Sequence, residues 1–250
     1  MKQLRLQTHS LAEYFSIIEA QPAGGRHLFR GQANAAWPLV PSIYRTHSIF
    51  VGRPAEQNYE SQEWVGIHRF FDEGLPYLPN LKRGPINDRI LAQHFGVPTR
   101  LLDWTYDPLV ALFFAVEDRR VSFDAAVFML LPDGGNMNPE HIRNANTYKA
   151  IAIDPPAIDR RIPAQKSVFT WHPYGPPNEP FVPIDQRPDM GNQVSNGPGH
   201  SERGFAKITI PSAIRPLLRG QLMQMGIDRR NLFPGLDGVG AFIADSAIWT

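Results

Sequence analysis

Within residues 91–116, a largely apolar stretch, six polar residues stand at positions where an ordinary core segment would have aliphatic side chains. They are His94, Thr99, Arg100, Asp103, Trp104 and Thr105. An arginine and an aspartate are rarely buried alone, so Arg100 and Asp103 need partners or a solvent-filled cleft. The pattern is consistent with a binding or catalytic site, where perturbed polar groups concentrate, and equally with a structural ion pair or hydrogen-bond network.

A second arginine, Arg30, lies near the end of a predicted strand over residues 27–31. Gly31 follows it and would let the backbone bend or a ligand approach closely, and Gln32 adds an amide. A guanidinium can hold a phosphate or a ribose through two parallel hydrogen bonds. On residue type alone, a surface arginine at a strand end is the simpler interpretation of Arg30.

The common short motifs of nucleotide, nucleophile and metal sites are absent from the sequence. It has no Walker glycine–lysine loop, no GxGxxG after a predicted strand and no GxSxG nucleophile elbow. The 8 histidines are scattered without HExxH or similar spacing, and there is no cysteine. We therefore expect no metal site, no disulfide and no thiolate nucleophile.

Composition is that of an ordinary globular protein, with 42% hydrophobic residues and a net charge of +1 over 250 residues. Basic and aromatic residues form no common stripe, so nucleic acid is expected only as a target that the protein could modify. The N-terminus has no signal-peptide pattern, and no stretch approaches the roughly 18 apolar residues of a membrane span. We expect a cytoplasmic protein that does not bind membranes.

Capping and turn signals predict the elements that must position the polar residues of the central stretch. Gly96 predicts the end of a helix, and residues 99–105 predict a strand. Asp107 and Pro108 predict the start of the next helix, because aspartate caps helix N-termini and proline fits the first turn. Residues 109–116 are apolar on nearly all sides of that helix, which predicts burial.

The rest of the chain alternates between helical and extended patterns. A capping box at Ser10 predicts a helix over residues 8–21, and residues 56–73 predict an amphipathic helix with its glutamates facing outward. Its predicted buried side is Tyr59, Trp64, Ile67, Phe70 and Phe71. Further strands are predicted over residues 125–131, 164–171 and 205–210, and further helices over residues 212–225 and 236–248.

Residues 172–204 are rich in proline, glycine and polar residues, which predicts a long loop or flap. No other stretch indicates a domain boundary, so residues 1–250 are expected to form a single domain. Strands interleaved with helices predict an α+β fold, in which helices surround a mixed, mostly antiparallel sheet.

Five segments of the sequence resemble the FRG-domain family of bacteria and their mobile elements. They are LFRGQ, WPLVPSIYR, AQHFGVPTRLLDWTYDPLVALFFA, AQKSVF and LFPGLDGV, and they extend from Leu28 to Val239. The central segment is long and unusual in its composition. The resemblance implies a role in phage defence or in a toxin-like system, with a protein partner encoded in the same operon.

Three shorter segments are similar to ADP-ribosyltransferases of the arginine–serine–glutamate class. FRG at residues 29–31 resembles their first core strand, and DWT at residues 103–105, followed by DPLVALFFA, resembles their serine–threonine–serine strand and helix. QKS at residues 165–167 lies where their last motif, QxE or ExE, is expected. The resemblance implies an ADP-ribosyltransferase-like fold with NAD as the substrate.

This second resemblance implies functional roles for named residues. The implied nucleotide-binding residues are Arg30, Gly31, Gln32, His94, Thr99, Arg100, Trp104 and Thr105. The implied catalytic residues are Arg30, Asp103 and Gln165. Cleavage of the N-glycosidic bond of NAD produces an oxocarbenium-like centre, which a carboxylate stabilises electrostatically.

The sequence departs from the transferase pattern at the residue that matters most for this chemistry. Ser167 stands where those enzymes have a catalytic glutamate. Other acids that could replace it are Asp103, Glu179, Glu202 and Asp237, and their spacing does not choose among them.

Three functions therefore remain open. The first is an enzyme that consumes NAD or transfers ADP-ribose, which predicts one cleft shared by Arg30, His94, Arg100, Asp103 and Gln165. The second is a catalytically inactive module that binds or senses a nucleotide or a protein, which predicts a cleft that no carboxylate faces. The third is a nuclease-type hydrolase with His94 and Asp103 as acid and base.

Overall fold

The computed structural model describes residues 4–20, 26–45, 59–78, 83–132, 151–172, 174, 181–186 and 205–245. Its strands are β1 (Leu4–Gln7), β2 (Leu28–Gln32), β3 (Leu101–Thr105), β4 (Ala125–Leu130), β5 (Ile151–Ile153), β6 (Ser167–Trp171) and β7 (Phe205–Ile210). Its helices are α1 (Leu11–Glu19), α2 (Tyr59–Gly74), α3 (Pro85–His94), α4 (Pro108–Val116), α5 (Arg161–Ala164), α6 (Arg215–Gln224), α7 (Arg229–Leu232) and α8 (Leu236–Ala244).

These strands form one seven-stranded sheet in the order β1-β7-β4-β2-β3-β6-β5. Every neighbouring pair is antiparallel except β1 and β7, which are parallel. The predicted α+β fold with a mixed, mostly antiparallel sheet is confirmed. The order places β2 and β3, which carry several of the predicted site residues, side by side in the sheet.

Helix α4 begins where the sequence predicts and packs into the core. The Oδ1 atom of Asp107 accepts hydrogen bonds from the backbone N–H groups of Leu109 at 2.8 Å and Val110 at 3.4 Å. Apolar residues of α4 share a buried cluster with Phe29 on β2 and with residues of α1, β4, β7 and α6. The predicted burial of α4 is confirmed, and α4 forms the main support of β2.

A second buried cluster lies against the other face of the sheet, because Leu28 belongs to it while its neighbour Phe29 belongs to the first. Trp104 is a member of this second cluster and is only 3% exposed. Its indole Nε1–H donates to Thr170 Oγ1 at 2.9 Å. Trp104 is therefore a core residue whose polar atom is already bonded, and not the wall of an open nucleotide site.

The amphipathic prediction for α2 is wrong in two places. Glu63 is fully buried instead of facing outward, and Trp64 is 57% exposed instead of buried. A spacing of four residues places Glu63 on the same helix face as Ile67 and Phe71, which are both buried, whereas Trp64 falls beside that face. The helix prediction itself is confirmed within the described residues.

Several predicted boundaries also shift. The last predicted helix, over residues 236–248, ends at Ala244 within the described residues. The predicted strand over residues 164–171 begins at Ser167, because Arg161–Ala164 form a helical turn that Gln165 ends. Most of the predicted flap at residues 172–204, including Glu179 and Glu202, lies outside the described residues.

Candidate functional site

A cleft of about 60 Å³ opens beside β3 and β6, between α3 and α5. Its polar lining consists of Gln93, His94, Asp103, Asp159, Arg161, Gln165 and Ser167. Its apolar lining consists of Ile90, Leu91, Ile158, Ile162 and Phe169. Three residues that the sequence predicts for one site, His94, Asp103 and Gln165, thus face the same cleft.

Arg30 does not line this cleft, but it contacts Asp103, which does. β2 pairs with β4 along its whole length, but its register with β3 is limited to Phe29 opposite Thr105. The Nη1 atom of Arg30 donates to the backbone carbonyl of Asp103 at 2.7 Å and lies 3.7 Å from the carboxylate Oδ2. Arg30 therefore braces Asp103 where the two strands separate.

The environment of Arg30 leaves it charged but largely inaccessible. Burial lowers the pKa of Arg30 to about 10, and the negative charge of Asp103 partly offsets this effect. The Arg30 side chain is only 16% exposed. Arg30 is consequently placed to orient Asp103, and it offers little surface to a phosphate.

Asp103 is held from its other side by α3. The Nε2 group of Gln93 donates to Asp103 Oδ1 at 2.7 Å. The hydroxyl of Thr99 in turn donates to Gln93 Oε1 and accepts from the backbone N–H of Leu101 at 3.1 Å. The Asp103 side chain nevertheless remains 58% exposed. The result is a carboxylate of fixed orientation that still faces the cleft.

Gln93 is a residue that the sequence analysis missed. It immediately precedes His94 in the last turn of α3, and a glutamine in a helix carries no motif of its own. Thr99 also has a different position from the one predicted, because it is fully buried and acts through Gln93.

A histidine–aspartate pair lies in the same cleft. His94 Nε2 is 3.3 Å from Asp159 Oδ2. Partial burial lowers the pKa of His94 below its ordinary value of 6.5, although the nearby charge of Asp159 raises it. The imidazole is therefore mainly neutral at pH 7 and can accept a proton from a bound molecule.

An ion pair between α5 and α8 lies at the cleft and was also missed by the sequence analysis. The Nη2 atom of Arg161, which lines the cleft, donates to Asp237 Oδ2 at 2.5 Å. The two side chains are 33% and 58% exposed. Asp237, one of the acids considered above, is thus placed beside the cleft through Arg161.

Gln165 and Thr105 make hydrogen bonds that connect three elements at the wall of the cleft. The hydroxyl of Thr105 donates to the backbone carbonyl of Gln165 at 2.7 Å, and Thr105 is only 4% exposed. The side-chain Nε2 of Gln165 donates to the carbonyl of Leu232 on α7 at 3.0 Å. These contacts tie β3, α5 and α7 together, so both residues support the cleft more than they could bind a ligand.

Gly31 and Gln32 do not line the cleft. A Cβ atom on Gly31 would lie 1.9 Å from the backbone oxygen of Ala111, so glycine is needed for α4 to cross β2 closely. Gln32 is 8% exposed, and its Nε2 lies 3.5 Å from the carbonyl of Pro38. Glycine is therefore needed at position 31 because α4 packs closely against β2, and not because a ligand binds there.

Arg100 also lies away from the cleft, in a buried network around Glu63. Its backbone N–H donates to Glu63 Oε1 at 2.7 Å, and its Nε donates to Glu63 Oε2 at 3.0 Å. Arg89 Nε donates to the same Oε2 atom at 2.8 Å, and so does the hydroxyl of Tyr174. The structural ion pair considered for Arg100 exists, but its partner is Glu63 and not Asp103.

Acidification is expected to weaken the fold through Glu63. Burial raises the pKa of Glu63, but the charges of Arg89 and Arg100 lower it more, so it lies below its ordinary value of 4.5. A carboxylate with a depressed folded pKa contributes stability above its unfolded pKa and loses it as the pH falls through the folded pKa. We expect the difference in the free energy of unfolding between wild type and Glu63→Gln to shrink below a pH of about 4.5. Denaturant titrations between neutral and acidic pH would measure this, and a difference independent of pH would contradict the prediction.

No group of three or more histidine, aspartate or glutamate side chains within the described ranges is arranged to hold a metal ion. Within the same ranges, none of the helices combines the length and apolarity needed to cross a membrane.

Comparison with known proteins identifies part of the chain. Residues 25–123 match the family model of the FRG domain. No curated protein and no solved structure matches the chain. The matched range includes Arg30, Gln93, His94 and Asp103, whereas the α5 side of the cleft follows it in the sequence. The chain therefore carries an FRG domain at residues 25–123, in agreement with the family resemblance of its sequence.

Proposed function

We propose that the cleft binds NAD or a related ribonucleotide and that the chain cleaves its N-glycosidic bond, by hydrolysis or by transfer of ADP-ribose. The observation that carries this proposal is the carboxylate of Asp103. It lines the cleft, is 58% exposed, and is oriented by Gln93 and Arg30. A carboxylate held in this way can stabilise the positive centre of a glycosyl transition state. Asp103 would thus supply the charge that Ser167 cannot.

The proposed reaction uses groups that are already present in the cleft. The bond between C1′ of the ribose and the nicotinamide nitrogen breaks, and nicotinamide leaves with the electron pair. A water molecule or a nucleophile of the target then forms the new bond to C1′ and loses a proton. The imidazole of His94 lines the same cleft, and its lowered pKa makes it available to accept that proton.

The size of the cleft indicates which part of a dinucleotide it would hold. Its volume is about 60 Å³. Pockets for whole drug-sized ligands measure about 300–1,000 Å³. In this proposal the nicotinamide ribose lies beside Asp103, and the pyrophosphate and adenosine lie outside the enclosed part of the cleft.

A second candidate function is nucleotide binding or sensing without chemistry. Asp103 already lies beside Arg30, and Asp237 pairs with Arg161. A carboxylate with a cationic neighbour stabilises a new positive charge less strongly. Either function would suit the defence or toxin role that the family resemblance implies. No specific observation favours the nuclease-type alternative.

Replacing Asp103 with asparagine is expected to reduce the rate of NAD loss by about 100-fold or more, as removal of a key electrostatic group typically does. Asparagine keeps the shape of the side chain but removes its charge. The purified 250-residue chain and its D103N variant would be incubated with NAD, and released nicotinamide would be measured by chromatography. D72N is the matched control, because Asp72 is exposed on α2 and does not line the cleft.

The possible outcomes separate the two candidate functions. NAD loss at the wild-type rate in D103N would contradict the catalytic role of Asp103. Binding of NAD by wild type, measured by calorimetry, with no loss of NAD would support the sensing module instead. If wild type neither bound nor consumed NAD, both candidates would fail for this nucleotide.

A further inference from the structure

We propose that Arg161 is the phosphate-binding residue of the cleft. In the absence of a ligand its guanidinium pairs with Asp237, and the phosphate of a bound ligand displaces that carboxylate. This inference rests on the proposed function only for the position of the ligand. It gives the cleft a preference for ligands with a phosphate or pyrophosphate group, and it makes the α5–α8 ion pair an autoinhibitory contact.

The arginine that the sequence analysis favours for this task is not available. The Nη1 atom of Arg30 is bonded to the backbone of Asp103, and the side chain is only 16% exposed. Arg161, in contrast, lines the cleft and is 33% exposed. A guanidinium can bind two oxygens of one phosphate in parallel, and phosphate binding requires an accessible donor edge. Of these two arginines, Arg161 meets that requirement.

The ion pair between Arg161 and Asp237, which a ligand must displace, is weak. The Asp237 side chain is 58% exposed, and ion pairs between exposed side chains stabilise proteins by only about 0–1 kcal/mol. A pyrophosphate carries more negative charge than one carboxylate and offers more acceptor oxygens. Asp237 also lies in the first turn of α8, where a carboxylate is favourable without Arg161. The exchange of Asp237 for a phosphate therefore has a low cost.

The remaining polar lining of the cleft does not duplicate the role of Arg161. Gln93 is bonded to Asp103, and Gln165 is bonded to the backbone of α7. His94 is paired with Asp159, and burial lowers its pKa, so it carries little positive charge at neutral pH. Arg161 is thus the strongest cation that lines the cleft within the described residues.

The test uses inorganic pyrophosphate as the probe and the 250-residue chain as the protein. Isothermal titration calorimetry at low salt would compare wild type with D237N, R161Q and R161K. Removing the competing carboxylate in D237N is expected to tighten binding about two- to fivefold, which corresponds to the loss of one exposed ion pair. R161Q is expected to weaken pyrophosphate binding at least about tenfold. R161K is expected to bind pyrophosphate more tightly than R161Q and more weakly than wild type. Thermal melting of each variant would show that it is folded.

A matched control removes the same charge at a distant ion pair. Glu73 pairs with Arg69 on α2, and both side chains are more than two-thirds exposed, at 70% and 73%. E73Q also reduces the negative charge by one, so it measures the general effect of net charge on anion binding. Tightening in D237N that does not exceed that in E73Q would overturn the proposal. Unchanged binding in R161Q, or no binding by either wild type or D237N, would also overturn it.

The result is separable from the proposed function. If pyrophosphate binding depends on Arg161 while NAD is never consumed, this inference holds and the catalytic proposal fails. If NAD is consumed in a manner that depends on Asp103 while R161Q binds pyrophosphate normally, the catalytic proposal holds and this inference fails.

Discussion

Glu63→Gln is expected to destabilise the fold by about 3–5 kcal/mol at neutral pH, the typical cost of breaking a buried ion pair from one side. Glutamine nearly preserves the volume of the side chain but removes its charge. Arg89 and Arg100, whose side chains are 15% and 9% exposed, would then lack their common counter-charge. The lost contacts are those that join α2, α3 and the start of β3. We therefore expect α3, which carries Gln93 and His94 at the cleft, to be held less firmly in the variant.

The measurement is the free energy of unfolding from urea titration, followed by circular dichroism. The E73Q variant again serves as the control, because its ion pair on the same helix is exposed and should contribute little. A loss of less than about 1 kcal/mol in E63Q, within the range of exposed pairs, would show that the two arginines find other partners or solvent.

Gly31→Ala is expected to cost about 3 kcal/mol or more, or to prevent folding, as severe overpacking does. The added Cβ would lie 1.9 Å from the oxygen of Ala111 and 2.6 Å from the nitrogen of Ala115. Both atoms belong to the backbone of α4, so no side-chain rotation can relieve the clash. The helix would have to move away from β2 and from the apolar cluster that they share.

Gly220→Ala is the control for this substitution, because it adds the same methyl group to a helix where no atom outside the helix lies within 4 Å. It is expected to stabilise the chain by about 0.5–1 kcal/mol, since glycine is unfavourable within helices. Thermal and urea unfolding of both variants would be compared. Equal stability of G31A and G220A would mean that α4 crosses β2 at a greater distance than the structure shows.

Local signals in the sequence were sufficient to predict most of the central stretch. Asp107, Pro108 and Gly96 each act on their own few residues, through a cap, a fixed dihedral angle and a left-handed turn. The observed φ of +88° at Gly96 is the conformation that the prediction requires. The meeting of Arg30 and Asp103 was also predicted, although only through a family resemblance.

The network around Glu63 could not be predicted, because its partners are distant in the sequence. Glu63 and Arg100 are 37 residues apart, and helical periodicity gives no information about such pairs. Periodicity indicates which residues share a face, but a glutamate on an otherwise apolar face is easily assigned to solvent. The sequence signal for this network was the presence of two arginines, Arg89 and Arg100, near the buried elements that follow α2. That signal does not indicate that Glu63 is their common partner.

Arg161 was missed for a different reason. The sequence around it is irregular, and the family resemblance directed attention to residues 165–167, just beyond it. Its position at the cleft follows from the sheet, because β6 brings the preceding turn next to β3 and hence next to Asp103. Likewise, the glycine at position 31 was recognised as special, but the close approach of α4 that requires it depends on tertiary packing.

The strand order shows that the range matched by the family model and the sheet that supports it have different limits. The matched range, residues 25–123, contains β2 and β3 but stops before β4, the strand that pairs with all of β2. It also omits β6, which pairs with all of β3. An excised fragment with those limits would expose unpaired backbone along two interior strands, a known route to aggregation. Truncations and domain swaps of this chain are therefore better designed on the borders of the whole sheet than on the limits of the family match.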